Sequence, residues 1–225
     1  MTTAPARTRK PAEDRRREIA DAALRVIAAE GLGGFTSLAI ARAVGLSDGA
    51  LFRHFASKEA MVDAAIDRAE ELLFEGFPPE AADPLERLGA FFCRRVAVVR
   101  GHPGITALVA TDDLAKAGSA EGARRVALFR RRSTAFVRGC LAEAARSGRL
   151  VPGVGIEEAT VIVLGALGTL AHSGPAPWRG QGGVLARRVW STLEALLGRP
   201  AASPTSPPRR RRAPAAGRPP KGDPT

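Results

Sequence analysis

The stretch FTSLAIARAVGLSDGALFRHFASK, residues 35–58, gathers side chains suited to gripping a polyanion and reading base edges. Arg53 carries a planar guanidinium fork that matches the two acceptors guanine shows in a major groove, and the Ala50 methyl suits a thymine methyl. Gly49 and Ala50 are small enough to let a helix's first turn approach those edges. Ser47, Asp48, Phe52 and His54 share the same short segment and divide between groove and backbone. Ser57-Lys58-Glu59 opens a further helix whose unpaired N–H groups, with the Lys58 ammonium, can hold a phosphate; Thr36 can do likewise at an earlier helix start. No bond is made or broken by such groups. The chemistry is recognition.

These side chains need two short helices held at a fixed angle. Thr36 is a good N-cap for a helix over 37–44, whose Ile40, Ala41 and Val44 form one apolar face. Gly45 follows at once and can take the left-handed conformation that ends a helix. Leu46 is an apolar plug, Ser47 caps a second helix over 48–54, and Leu51 and Phe55 at i and i+4 point to the core. Two short helices, a tight glycine turn and a plug make a helix-turn-helix, whose second helix lies in a major groove. The same spacing also suits an ordinary helical hairpin with Gly45 as its C-cap, and spacing alone leaves both open.

Composition bounds the rest. With 225 residues, 45% of them apolar, the chain can bury a substantial core. Tyrosine is absent and aromatic residues are only 5%, so an Ala-, Leu- and Arg-rich chain reads as all-α rather than β. The net charge of +11 sits at the ends: residues 1–58 hold ten basic and six acidic side chains, residues 199–225 seven and one. That distribution favours a nucleic-acid partner, although simple solubility charge has the same signature. Two cysteines exclude a disulfide scaffold and suit a reducing cytoplasm. The Arg-rich start has no apolar stretch behind it, so a signal peptide is not expected. The uncharged apolar run 159–171 is too short for a bilayer, so no membrane partner and a cytoplasmic location are expected.

Apolar periodicity predicts helices over 15–30, 37–44, 48–54, 58–74, 84–100, 104–117, 120–147, 156–173 and 183–197, punctuated by Gly and Pro. Residues 1–12 read as a disordered basic start. Residues 13–58 read as the helix-turn-helix domain, joined by the helix 58–74 to a helical body over 59–198. The tail 199–225, with eight prolines and the run Arg209–Arg212, reads as disordered.

The run Ile40-Ala41, Val44-Gly45-Leu46-Ser47, Gly49-Ala50-Leu51-Phe52, His54-Phe55, Ser57-Lys58-Glu59 resembles the DNA-binding domain of the TetR family of bacterial transcriptional regulators. The resemblance extends over residues 15–66. Two positions depart from the family's pattern: Phe52 stands where a tyrosine hydroxyl usually meets a phosphate, and Leu38 where many relatives face DNA with a polar side chain. The resemblance implies an N-terminal helix-turn-helix three-helix domain and a C-terminal helical ligand-binding and dimerisation domain. It further implies a repressor that binds a palindromic double-stranded operator as a homodimer and is released by a small hydrophobic or aromatic effector. The DNA-contacting set is then Thr36, Ser47, Asp48, Gly49, Ala50, Phe52, Arg53, His54 and Lys58. Phe91, Phe92, Val96, Leu108, Phe129 and Phe136 are possible pocket linings. A helix apolar all round needs partners on several faces, so Val161, Leu164, Leu167 and Leu170 are assigned to the dimer contact with Val189, Trp190, Leu193 and Leu197, Trp190 as anchor. The helix opened by Lys58 is the natural lever between reader and pocket.

Other signals point elsewhere only weakly. Cys93 and Cys140 read as small buried hydrophobes or as a redox pair. His102 and His172 lack ligands at metal spacing, Gly31, Gly33, Gly34, Gly153 and Gly155 form no dinucleotide fingerprint, and no nucleophile–base set stands out, so no metal, cofactor or enzymatic activity is expected. Arg130, Arg131 and Arg132 read as a solvated helix surface. Two rivals remain: an architectural DNA binder driven by its charged ends, and a ligand-binding module that has lost DNA recognition.

Overall fold

The computed structural model describes residues 11–110, 118–172 and 182–199. Within them the chain folds as α1 (Ala12–Gly34), α2 (Ser37–Val44), α3 (Asp48–Leu51), α4 (Lys58–Phe74), α5 (Pro84–Gly101), α6 (Pro103–Ala110), α7 (Ala120–Arg146), α8 (Ile156–His172) and α9 (Gly182–Leu197). The described residues contain no strand, only an isolated bridge between Leu150 and Gly198. The fold is all-α, with an N-terminal helix-turn-helix and a larger helical body.

Helix ends follow local chemistry. The Thr36, Ser47 and Ser57 hydroxyls accept from the backbone N–H groups of Ala39, Ala50 and Ala60 at 3.1, 3.2 and 3.1 Å. Asp83 accepts from the N–H groups of Leu85 and Glu86, with Pro84 in the first turn. Gly31, at φ 69°, interrupts α1 where the sequence predicts its stop. The sharpest difference is at α3. The expected helix over 48–54 is only Asp48–Leu51, followed by a turn in which the His54 N–H bonds back to the Leu51 carbonyl at 2.9 Å. Phe55, just past this turn, is buried in the core as its i+4 spacing from Leu51 predicts. The expected helix over 104–117 runs as Pro103–Ala110; positions 111–117 lie outside the described residues, as do residues 1–10 and the tail from 200.

Two apolar cores result. The first joins Ile19, Ile27, Phe35, Ile40, Leu51, Phe55 and Ile66 of α1–α4 to Val99, Ile105, Leu108, Val126 and Phe129. It therefore reaches well past residue 58. The second packs α5 against α7, α8 and α9 through Leu88, Phe92, Val96, Leu141, Val163, Trp190 and Leu193. Two glycines let helices pack closely on one another. A Cβ on Gly104 would sit 2.0 Å from the Leu24 carbonyl oxygen, which brings α6 onto α1. A Cβ on Gly89 would sit 2.2 Å from Trp190 Nε1.

Several assignments to the dimer contact are corrected by this packing. Trp190 lies over Gly89 and beside Phe92, ring centroids 5.7 Å apart, and so anchors α9 to α5 of its own chain. Leu170, Leu193 and Leu197 are likewise buried within the chain. Leu164 and Leu167 are half-buried and line a cavity. Val161 is 70% exposed, together with Ile162, Val184 and Leu196, while Val189 is half-buried. Apolar helices need partners on several faces, and the chain itself supplies many of them.

Candidate functional site

The helix-turn-helix is locked by a complete helix terminus. Gly45 has φ 66° and ψ 36°, and its N–H bonds to the Arg42 carbonyl while the Leu46 N–H reaches the Ala41 carbonyl at 2.9 Å. This paired 5→2 and 6→1 pattern is a Schellman terminus, and the left-handed glycine is what lets α3 turn away from α2. Leu51 and Phe55 are buried beneath α3. Arg16 of α1 braces the far end: its guanidinium donates to the His54 carbonyl at 3.1 Å and lies 4.7 Å above the Phe55 ring.

Thr36, Ser47, Asp48, Gly49, Phe52, Arg53 and Lys58 are all exposed, and His54 is half-buried. A capping hydroxyl that accepts from a backbone N–H keeps its own proton to donate, so Thr36 and Ser47 can cap and contact an anion together. Ala50 is corrected. It is 8% exposed and turned to the inner side of α3, where its small size serves packing rather than a thymine methyl. Phe52 and Leu38 are exposed large hydrophobics on this segment. The Lys58 ammonium lies 5.7 Å over the Phe35 ring, which orients it without neutralising it.

A series of polar contacts ties this head to the rest of the chain through α4. Arg68 Nε donates to Asp21 of α1 at 2.8 Å and its Nη1 donates to Glu71. Burial opposes the charge on Arg68, but these two carboxylates prevail and hold its pKa above the usual arginine value. On the other side Asp63 accepts from the Ser119 hydroxyl at 3.0 Å, Ser119 caps α7, and Arg125 of α7 pairs with Asp67. One helix thus contacts both α1 and α7. With Gly104 on Leu24, the pocket half touches the head at two places.

Between α5, α6, α7 and α8 lies a cavity of about 320 Å³. Leu73, Phe91, Val99, Ile105, Phe129, Leu164 and Leu167 make it apolar, and Arg95, Arg130, Thr106, Ser133 and Thr134 supply its polar atoms. Of the six pocket residues taken from the sequence, Phe91 and Phe129 line it. Phe92, Val96 and Leu108 are corrected: they are fully buried core residues that do not reach the cavity. Phe136 is corrected too. It packs on Phe77 and Phe91, centroids 4.9 and 5.0 Å away, and faces a separate groove with Pro78, Pro79 and Arg87.

Sequence reasoning missed the arginines. Arg95 is 7% exposed, between the rings of Phe74 and Phe91 at 5.0 Å each. Burial, with Arg132 and Arg94 nearby, pushes its pKa down to about 10, so it remains a cation at neutral pH. Arg130, Arg131 and Arg132 are exposed, as the sequence predicts; Arg132 also lies on Phe74 and Phe77 at 4.2 and 4.8 Å, and Arg130 donates to the Val109 carbonyl. Phenylalanines spaced along different helices carried no signal that their faces would converge on guanidinium groups. Burial pushes the thiols of Cys93 and Cys140 up, which fits small core residues rather than reactive thiolates. Among the described residues no helix is long and apolar enough to cross a membrane.

Comparison with known proteins now bears on this geometry. Residues 19–65 match the profile described as "Bacterial regulatory proteins, tetR family". The nucleoid occlusion factor SlmA of Vibrio vulnificus is 34% identical over 100 residues, which are 43% of this chain and 51% of that protein. The transcriptional repressor KstR2 of Mycobacterium tuberculosis is 35% identical over 91 residues, 39% of this chain and 46% of that one. The chain thus aligns with about half the length of the curated relatives it matches. In three dimensions the solved KstR2 superposes with a TM-score of 0.68 at 19% identity, covering 83% of this chain and 96% of that chain. AibR, solved with isovaleryl coenzyme A and operator DNA, gives 0.66 at 19% identity, covering 79% and 97%. Residues 19–65 are thus similar to the DNA-binding segment of the tetR family of bacterial regulatory proteins, and the chain as a whole shares the fold of these solved regulators.

Proposed function

We propose that this protein is a DNA-binding transcriptional repressor that grips a palindromic operator as a homodimer and lets go when a small molecule fills the α5–α8 cavity. The observation that carries the reading is the terminus at Gly45, which presents α3 outward with Ser47, Asp48, Gly49 and Arg53 exposed. In this reading residues 13–58 are the DNA-binding domain. Residues 59–198 bind effector and dimerise, and the Arg-rich tail lies outside the described residues.

The short α3 is supported at both ends rather than by its own length. Ser47 caps its start and Arg16 holds the carbonyl at its finish. Thr36 and Lys58, at the starts of α2 and α4, flank it as phosphate contacts. Pairing of two copies through the exposed Val161, Ile162, Val184 and Leu196 of α8 and α9 sets two such heads about one DNA turn apart. An effector lowers operator affinity only by its preference for the state with misplaced heads, typically about 1–3 kcal/mol. The contacts of α4 with Asp21 and Ser119, and of Gly104 with Leu24, are the physical path for that coupling.

The positive charge gathered at the chain's two ends favours one second reading, an architectural, non-regulatory DNA binder. Selection of bound fragments from random DNA, followed by a release screen with small molecules, separates the two. A single palindrome and a releasing compound support the repressor. Uniform retention of all sequences with no releasing compound overturns it.

A further inference from the structure

The cavity holds an electrostatic imbalance that its apolar walls do not resolve. Arg95 is more than nine-tenths buried and lines the cavity, and its Nη2 has no hydrogen-bond partner among the described residues. The rings of Phe74 and Phe91 lie near its guanidinium, but aromatic faces accept no conventional N–H···O bond. Its nearby charges are cationic. Arg132 sits across Phe74, and Arg94 is paired to Glu75 at 3.0 Å. Arg130, the other cation on the wall, is already used on the Val109 carbonyl. A buried cation of this kind is costly unless something completes its hydrogen bonds.

Resting on the reading of this cavity as the effector site, we infer that it takes an apolar molecule ending in a carboxylate, and that the Arg95 guanidinium receives that carboxylate. A guanidinium fork and a carboxylate match in charge and in planar geometry. The hydrocarbon part lies against Leu73, Val99, Ile105, Phe129, Leu164 and Leu167. A volume of about 320 Å³ and a single unpartnered cation suit a monoanion of modest size. A thioester of the same acyl chain brings a neutral carbonyl to Arg95 and leaves its charge uncompensated.

Octanoate, octanamide and octanoyl coenzyme A titrated calorimetrically into the full chain test this. Octanoate is expected to bind about ten- to a hundredfold more tightly than octanamide, the span of a charge-assisted hydrogen bond. Arg95→Met should abolish that difference and Arg95→Lys should keep part of it. Equal affinity for octanoate and octanamide on the unaltered chain overturns the proposal without any variant, as does tightest binding of octanoyl coenzyme A. So does discrimination that survives in Arg95→Met. Arg95→Met is expected to melt no lower than the parent chain, because it removes an unpaired buried charge; a large fall would make Arg95 a structural prop and overturn the ligand role. DNA retention is measured in parallel with Leu167→Trp, which fills the cavity. A neutral compound that releases DNA and is blocked by Leu167→Trp, with octanoate inert, overturns the carboxylate assignment alone. Selective octanoate binding that never alters DNA retention supports Arg95 as the anion site and removes the effector reading.

Discussion

The two halves of this molecule solve opposite problems of polar satisfaction. In the helix-turn-helix the termini are closed: three hydroxyl caps, a left-handed glycine and an arginine on the last carbonyl leave exposed side chains on a fixed frame. In the α5–α8 half Arg95, a residue lining the cavity, has a buried guanidinium with one nitrogen lacking a hydrogen-bond partner. A head whose backbone is satisfied locally has little to gain from rearranging. A pocket with an unmet hydrogen bond has much to gain from a ligand. The contrast places local satisfaction in the helix-turn-helix and an unmet hydrogen bond beside the cavity, with α4 and α6 between them.

The largest expected effect breaks the locally satisfied half. Leu51→Ala removes a fully buried side chain beneath α3 and should lower stability by about 2–5 kcal/mol, read by urea denaturation. Gly104→Ala attacks the joint, since the new methyl meets the Leu24 carbonyl. It should lower stability by about 1–3 kcal/mol, and it should change effector response more than DNA affinity in titrations of each. Arg53→Ala leaves the fold alone and should weaken operator binding by about 1–3 kcal/mol while relaxing one base preference. Equal loss on every DNA sequence would recast Arg53 as a phosphate contact.

A smaller effect tests whether caps matter equally in the pocket half. Burial pushes the Asp83 carboxyl up, but the Arg149 pair at 2.6 Å and the N–H groups of Leu85 and Glu86 prevail, leaving its pKa below the ordinary value. A lowered folded pKa means that the stabilisation is present above the usual carboxylate range and is lost as pH falls through the folded value. Asp83→Ala should therefore cost about 1 kcal/mol at neutral pH and less in acid, by denaturation at several pH values. The smallest change is expected from deleting residues 199–225, which should flatten the salt dependence of DNA binding by up to about one unit of slope per engaged arginine and leave operator choice intact.

The head was legible because its information is local. Thr36, Gly45, Ser47 and Ser57 act within a few residues of themselves, so spacing alone located their helix ends. What failed there was side-facing detail: Ala50 looked suited to a base edge but is buried under α3, and the helix ends at Leu51 in a turn instead of running on to His54. The pocket half was legible as helices but not as a site. Trp190 and Leu193 looked like interface residues because periodicity reports that a face is apolar without saying whose surface covers it.

From its order of residues alone this chain determined an all-helical fold, the positions of its caps and turns, and the segment suited to reading DNA, since each depends on neighbours within a turn or two of backbone. Only tertiary packing decided which apolar faces are spent inside the protomer, and that Gly104 brings α6 against α1. Packing also brought Phe74, Phe91 and Arg95 from two helices to one point beside a cavity. Long-range contact is set by how whole helices cross, and no local pattern carries that angle.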